Sequence, residues 1–456
     1  LRPAATGFAA EAPGFDGRGP RSISPRRILS LAMLRRCLPL ALLLALACDA
    51  PAAPGPRPSA TAVASAAPEA VPWPSLPDGP ATLGRVLDGA TRRPTPTPDP
   101  VTPERLRAAL RVAVRDGVLA GGMPAAVDAL EAAVEAGRGR GRHTWLLVGN
   151  HHDAAAQLDA FRRLTGPLGL TPAPLTAVEL LKADGAWTGL PLGLQRGDDE
   201  VLNRYLATGA RADLEALQAR ESYTAWKFGD RDGLADLVVG ARASGRPLMG
   251  CDMPLAMQSR LRETVGPEAD RLRDLHCALA IQRTLAKAPR ATVALLIGEA
   301  HLDGERLPRF LPAGDTLIEL HLFGGRPLDA ARVGAIQVTT PLLVPLGPRR
   351  LALLLAAPPL EAPVDRVRER HPRSELGPPR LVVRGERARL GVGFEERAIG
   401  GSYERPSAHG PLPFLVEQGD RILAGVVELP ARGHVVLDAL EWEGEAGPPR
   451  IEHHEP

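Results

Sequence analysis

Two short stretches of this chain place imidazoles and carboxylates where chemistry is possible. WLLVGNHHD (145–153) is an apolar run that ends at Gly149 and is followed at once by Asn150, His151, His152 and Asp153. VALLIGEAHLDG (293–304) is a second apolar run, ending at Gly298 and followed by Glu299, His301 and Asp303. The chain has only 11 histidines in 456 residues, so two apolar runs that both close on Gly-x-x-His are a repeat worth explaining. Neutral imidazole with carboxylate can hold a divalent cation, and the same pair can share a proton during hydrolysis.

For these groups to meet, the elements carrying them must bring them to one place. Largely apolar, strand-like runs occur at TWLLVG (144–149), LTAVEL (175–180), RPLMGC (246–251), TVALLIG (292–298) and TLIELHLF (316–323). Amphipathic helical segments separate them, such as the one carrying Leu234, Leu237, Val238 and Ala241. Short apolar strands alternating with helices predict an α/β fold: a parallel sheet of about five strands with flanking helices. Right-handed crossovers then put all the strand carboxyl ends on one rim, where ligands of open α/β sheets gather. The expected rim inventory is His151 and His152 after the first strand, Glu179 on the second, and Cys251 and Asp252 at the third. Glu299 and His301 follow the fourth, and Glu319 and His321 lie in the fifth. The glycines are expected to let the backbone turn sharply, so that the next side chains face the rim.

Composition places the chain among ordinary globular proteins, with 44% hydrophobic and 24% charged residues. A formal charge of +2 without any long basic stripe argues against nucleic acid as a partner. MLRRCLPLALLLALAC (33–48) has two arginines, an apolar run too short to span a bilayer, and small residues before Cys48. That is the layout of a secretory signal. LALAC also resembles a bacterial lipoprotein signal, which implies a lipidated Cys48 and an envelope-anchored, extracytoplasmic protein; an ordinary signal cleavage would leave a secreted or periplasmic one. Residues 1–32 are read as a segment upstream of the true start. Residues 49–100, rich in Pro and Ala, read as a disordered tether. Cys251 and Cys277 are then the cysteines left to pair, which an oxidising compartment would permit.

Order is expected from Thr102, a candidate N-cap with Pro103 behind it. The α/β domain is assigned to 101–326. Short strands between Pro and Gly turns predict a smaller β-rich module over 327–456.

Taken together, LLVGNHHDAAAQ, LTAVELL, YTAWKFGDRDGLADLVVGARASGRPLMGCDMP and VALLIGEAHLDGERLPRFL, spread over 144–323, resemble the TIKI/EreA/ChaN-like superfamily. The branch they resemble most is the ChaN-like haem-binding uptake lipoproteins. In that resemblance Gly149 and His152 match one motif, Gly298 and His301 the other, and Glu179 the second-strand acid. Trp226 matches a tryptophan before the third strand, and Asp252-Met253-Pro254 stands for an Asn-x-Pro turn. The family's Gly-Glu-x-His reads Gly-Asn-x-His here, and the Asn150 amide can serve neither as a general base nor as an anionic ligand.

The resemblance implies a protein that captures haem or a related iron ligand, in which Tyr223, Tyr205, His276 or Met253 would be the axial ligand. Arg231, Arg242 and Arg260 would meet the propionates. The alternative is a metal-dependent hydrolase of esterase or peptidase type, in which His152, His301, Glu179 and Glu299 hold zinc or manganese or share acid–base work. A scaffold that has lost its ligand is the third reading. The oligomeric state stays open, a dimer included.

Overall fold

The computed structural model describes residues 73–75, 77, 79–93, 100–138, 142–152, 154–220, 231–288, 290–324, 335–356, 380–392, 395–406, 410–418, 421–429, 434–438 and 450–454. The signal segment 33–48, Cys48, Asp153, Tyr223 and Trp226 lie outside the described residues.

All five expected strands form. In chain order they are β2 (Thr144–Asn150), β3 (Leu175–Lys182), β4 (Leu248–Asp252), β5 (Thr292–Gly298) and β6 (Thr316–Phe323), preceded by the two-residue β1 (Ala120–Gly121). They lie side by side as β6-β2-β5-β3-β4, and every neighbouring pair is parallel. The sheet is larger than predicted, with eight strands. β9 (Arg350–Leu354) adds in parallel beside β6, then β8 (Leu342–Gly347) and β1 follow antiparallel. β8 and β9 come from the stretch read as the start of the β-rich module; their short apolar runs look alike whichever sheet receives them. β7 (Ala335–Val338) joins a second, seven-stranded sheet with β10 (Arg380–Val392), β11 (Glu395–Pro406), β12 (Gly410–Gln418), β13 (Arg421–Leu429), β14 (His434–Asp438) and β15 (Arg450–His454).

Strand alternation sends side chains into two cores. Leu146, Val148, Ala294 and Leu296 face one helical layer, made by α3 (Met123–Arg138), α4 (Ala155–Thr165), α5 (Asp199–Thr208) and α7 (Arg231–Ser244). α6 (Arg211–Gln218) adds Leu217 to it. Trp145, Leu147, Val293 and Leu295 face the other layer, made by α8 (Leu255–Val265), α9 (Ala269–Leu285), α10 (Leu307–Phe310) and α1 (Pro80–Ala90). Because the strands are covered on both faces, β2, β4 and β5 carry no polar alternation before their last residues.

α1 corrects the tether reading over 80–90. PATLGRVLDGA places Leu83, Val86, Leu87 and Ala90 at helical spacing, and Leu83 and Leu87 are buried. Composition alone concealed this, since a Pro/Ala-rich window can still carry one apolar stripe. α2 (Pro103–Arg115) begins as predicted: the Thr102 side chain accepts from the Arg105 N–H at 3.2 Å. Its Leu106 and Leu110 pack with Leu415 and Ile422 of the second sheet, and Arg111 makes two hydrogen bonds to Glu417. Among the described residues no helix is long and apolar enough to cross a membrane.

Candidate functional site at the strand carboxyl ends

The strand order sets the site. β5 lies between β2 and β3, so residues leaving β2 and β3 can meet only above the end of β5. That end is Gly298. A Cβ there would stand 2.9 Å from His152 Nε2 and 3.4 Å from Glu179 Oε2. The missing side chain is the gap through which two flanking strands make contact. Gly298 has φ −56°, which any residue adopts; the sharp-turn role expected of it is therefore replaced by clearance.

Gly149 works the same way. β2 lies between β5 and β6, and Glu299, which follows β5, crosses over Gly149 to His321 in β6. A Cβ on Gly149 would meet Glu299 Oε2 at 2.1 Å. His321 Nδ1 and Glu299 Oε1 are 2.5 Å apart, and Arg350 Nε lies 3.2 Å from Glu319 Oε2. Burial opposes a charge on His321, but Glu299 and Glu319 outweigh it and raise the imidazole above its ordinary range.

Glu179 is the centre of the rim, with a side chain only 7% exposed. Its Oε1 accepts from Arg273 at 2.8 Å and lies 3.3 Å from His301 Nε2. Its Oε2 accepts from the Gly298 N–H at 2.7 Å and lies 3.7 Å from His152 Nε2. Burial alone would raise this carboxyl, yet His301, His152 and Arg273 hold it well below the usual carboxylate range. Asp252 sits beside it, accepting from Lys182 Nζ at 2.6 Å, Arg273 at 2.8 Å and Gln258 at 3.1 Å. Lys182 and Arg273 likewise overcome burial and lower its pKa.

The two rim histidines differ. His301 is buried, with Nδ1 paired to Asp274 and Nε2 toward Glu179. Burial disfavours its charge, but the two carboxylates prevail and push it up to about 10. His152 has a side chain 33% exposed, and burial of the rest, only partly offset by Glu179, pushes it below 6.5. Two imidazoles on one carboxylate are thus driven in opposite directions.

Of the residues expected at the rim, Glu179, His152, His301 and Asp252 form one connected cluster, while Glu299 belongs to the separate pair with His321. His151 is buried beside them, and its backbone N–H donates to Gln157 of α4 at 2.7 Å. Asn150 is buried as well, and its Oδ1 has no hydrogen-bond partner among the described residues. Reading the strands missed Arg273 and Asp274, both on α9, together with Arg306, which donates to Asp274 at 2.5 Å. The available signal was DRLRDLHC, in which charges sit inside a helix that also carries a cysteine and apolar residues on every side. Cys251 and Cys277 form a disulfide that joins the end of β4 to α9.

Among the described residues, which do not include Tyr223, the donor set fits neither implied cofactor well. Tyr205, His276 and Met253 are buried in the protein interior. Trp187 Nε1 donates to His276 Nδ1 at 3.0 Å, and His276 Nε2 lies 3.2 Å from the Ala183 carbonyl, so both ring nitrogens are engaged. Arg260 pairs on the surface with Glu263. A divalent cation would compete with Arg273 and Lys182, which already neutralise Glu179 and Asp252. Among the described residues no group of three or more His, Cys, Asp or Glu is placed to hold a metal.

No family model and no curated protein matches the chain. A solved structure titled "The structure of the type III effector HopBA1" aligns over 50% of this chain and 93% of its own, at 13% identity and a TM-score of 0.30. A likeness of that degree adds nothing to the reading of the site.

Proposed function

We propose that the rim is the acid–base centre of a hydrolase of the esterase type, working without a bound metal. The observation that carries this is the geometry on Glu179: a partly exposed His152 Nε2 and a buried His301 Nε2 approach its two oxygens at 3.7 and 3.3 Å, the first imidazole pushed below its ordinary pKa by burial and the second raised by its carboxylates. Titratable neighbours pushed apart in pKa are how one site holds a base and a cation at the same pH.

In this reading His152 Nε2 takes a proton from water as the hydroxyl adds to the ester carbonyl carbon. Glu179, 3.7 Å away, stabilises the imidazolium that forms. His301 and Arg273 hold Glu179 in its ionised form for that role. Collapse breaks the bond to the leaving alkoxide, which takes the proton back from His152. Asp274 is a positioning residue that fixes the His301 ring. The paired Gly-x-x-His motifs resemble a superfamily with esterase-like branches, but Asn150 replaces the acid of the first motif and counts against simple inheritance of their chemistry, so the assignment rests on His152, Glu179 and His301; the Cys251–Cys277 disulfide suits the extracytoplasmic setting inferred from the signal.

A panel of p-nitrophenyl esters, assayed with chelator present, tests the proposal. Turnover should fall at least about 100-fold in His152→Ala, the usual scale for loss of a general base. A one-to-one Soret band with haemin that is lost in His152→Ala, with no ester turned over, would overturn it in favour of haem capture.

A further inference from the structure

A cavity of about 330 Å³ opens between α1 and α9, away from the carboxylates of the rim. Its polarity is graded. Leu275, Leu279 and Phe310 in its lining are buried, whereas Arg85 and Arg92 are exposed. Among the described residues no acidic side chain lines it. Trp73 lines it too, held against His276 at 4.9 Å between ring centroids and beneath the Arg283 guanidinium at 5.7 Å. The Trp73 indole N–H is buried and has no hydrogen-bond partner among the described residues, and a buried donor without an acceptor is costly.

An apolar end and a cationic mouth specify an amphipathic anion. We propose that this cavity is a second binding site, for a medium-chain alkyl carboxylate. The chain lies against Leu275, Leu279 and Phe310, and the carboxylate meets Arg85 and Arg92. The volume lies at the lower end of the range for small-molecule sites, which suits a single chain rather than a two-chain lipid. α9 also carries Arg273 and Asp274, so the two sites share one helix, but ligand binding here needs none of the rim histidines.

Calorimetric titration of the full chain with decanoate, kept below its micellar concentration, tests this against decanol as the uncharged counterpart. Decanoate should bind once per chain, with decanol weaker by about tenfold or more, the effect of losing one charge-assisted contact. The double variant Arg85→Gln/Arg92→Gln, altered only at exposed positions, should bring decanoate down to the decanol level. Val86→Trp, which fills the cavity from α1, should abolish binding of both, and His152→Ala should leave both unchanged. Equal affinity for the two ligands, no heat with either, or an arginine variant that binds decanoate as the parent does would overturn the proposal.

Discussion

His152 Nε2 and His301 Nε2 approach different oxygens of the same buried carboxylate, Glu179, at 3.7 and 3.3 Å. They come from strands adjacent in the sheet but far apart in the chain, and a third strand supplies the acid between them. The contact exists because β5 ends in a residue without a side chain.

Gly298→Ala should therefore damage the site more than the fold. Its Cβ would lie 2.9 Å from the ring of His152, which is partly exposed and can swing outward. A stability loss of about 1–2 kcal/mol is expected from such local overpacking, with most ester turnover gone. Gly149→Ala should cost more stability, since Glu299 Oε2 at 2.1 Å and Leu302 Cδ1 at 2.5 Å are both in the way. Urea unfolding of the two variants, beside their activities, checks the order.

Arg273 bridges Glu179 and Asp252, and replacing it with Met should leave two buried acids without their shared cation. Removing one partner of a buried ion pair costs about 3–5 kcal/mol. Arg273→Lys should recover only part of this, because an ammonium cannot span two carboxylates as the planar guanidinium does. Equal stability of the Met and parent proteins in urea would contradict the bridge.

Stability should fall on both sides of neutrality, for different residues. His301 is raised from 6.5 to about 10 in the folded protein, so its contribution is complete below pH 6.5 and is lost as pH climbs toward 10. His276, buried against Trp187, is lowered from 6.5 to about 4. Its contribution is complete above pH 6.5 and is lost as pH falls toward 4. His301→Gln should flatten the alkaline limb of a melting-temperature profile and leave the acid limb in place.

The disulfide should stabilise the layer that carries Arg273 and Asp274. Its 26-residue separation corresponds to about 3.5 kcal/mol of chain entropy in the unfolded state. Dithiothreitol should shift the urea midpoint accordingly, and Cys251→Ser/Cys277→Ser should show the same midpoint with or without reductant.

How much of this was legible depends on where each residue sits. The parallel core was readable because strands covered on both faces must be apolar throughout, and the rim because polar residues appear where that cover ends. The convergence of His152, Glu179 and His301 followed from those two facts. The purpose of Gly149 and Gly298 did not, since it depends on which strands are neighbours: only the order β6-β2-β5-β3 makes each glycine a passage for side chains from either side. Arg273 and Asp274 stayed hidden for a related reason. They lie on a helix, and nothing local distinguishes a charged residue turned to solvent from one turned over the end of a sheet. α1 escaped because the proline and alanine around it outweighed its single stripe.

The opposed behaviour of the two imidazoles can be observed directly. In ¹⁵N-histidine NMR titrations, assigned with His152→Ala and His301→Gln, the account predicts that His152 titrates below pH 6.5 while His301 keeps both ring protons well above pH 8. A His301 that loses its proton at the same pH as His152, or before it, would contradict the division of roles on Glu179.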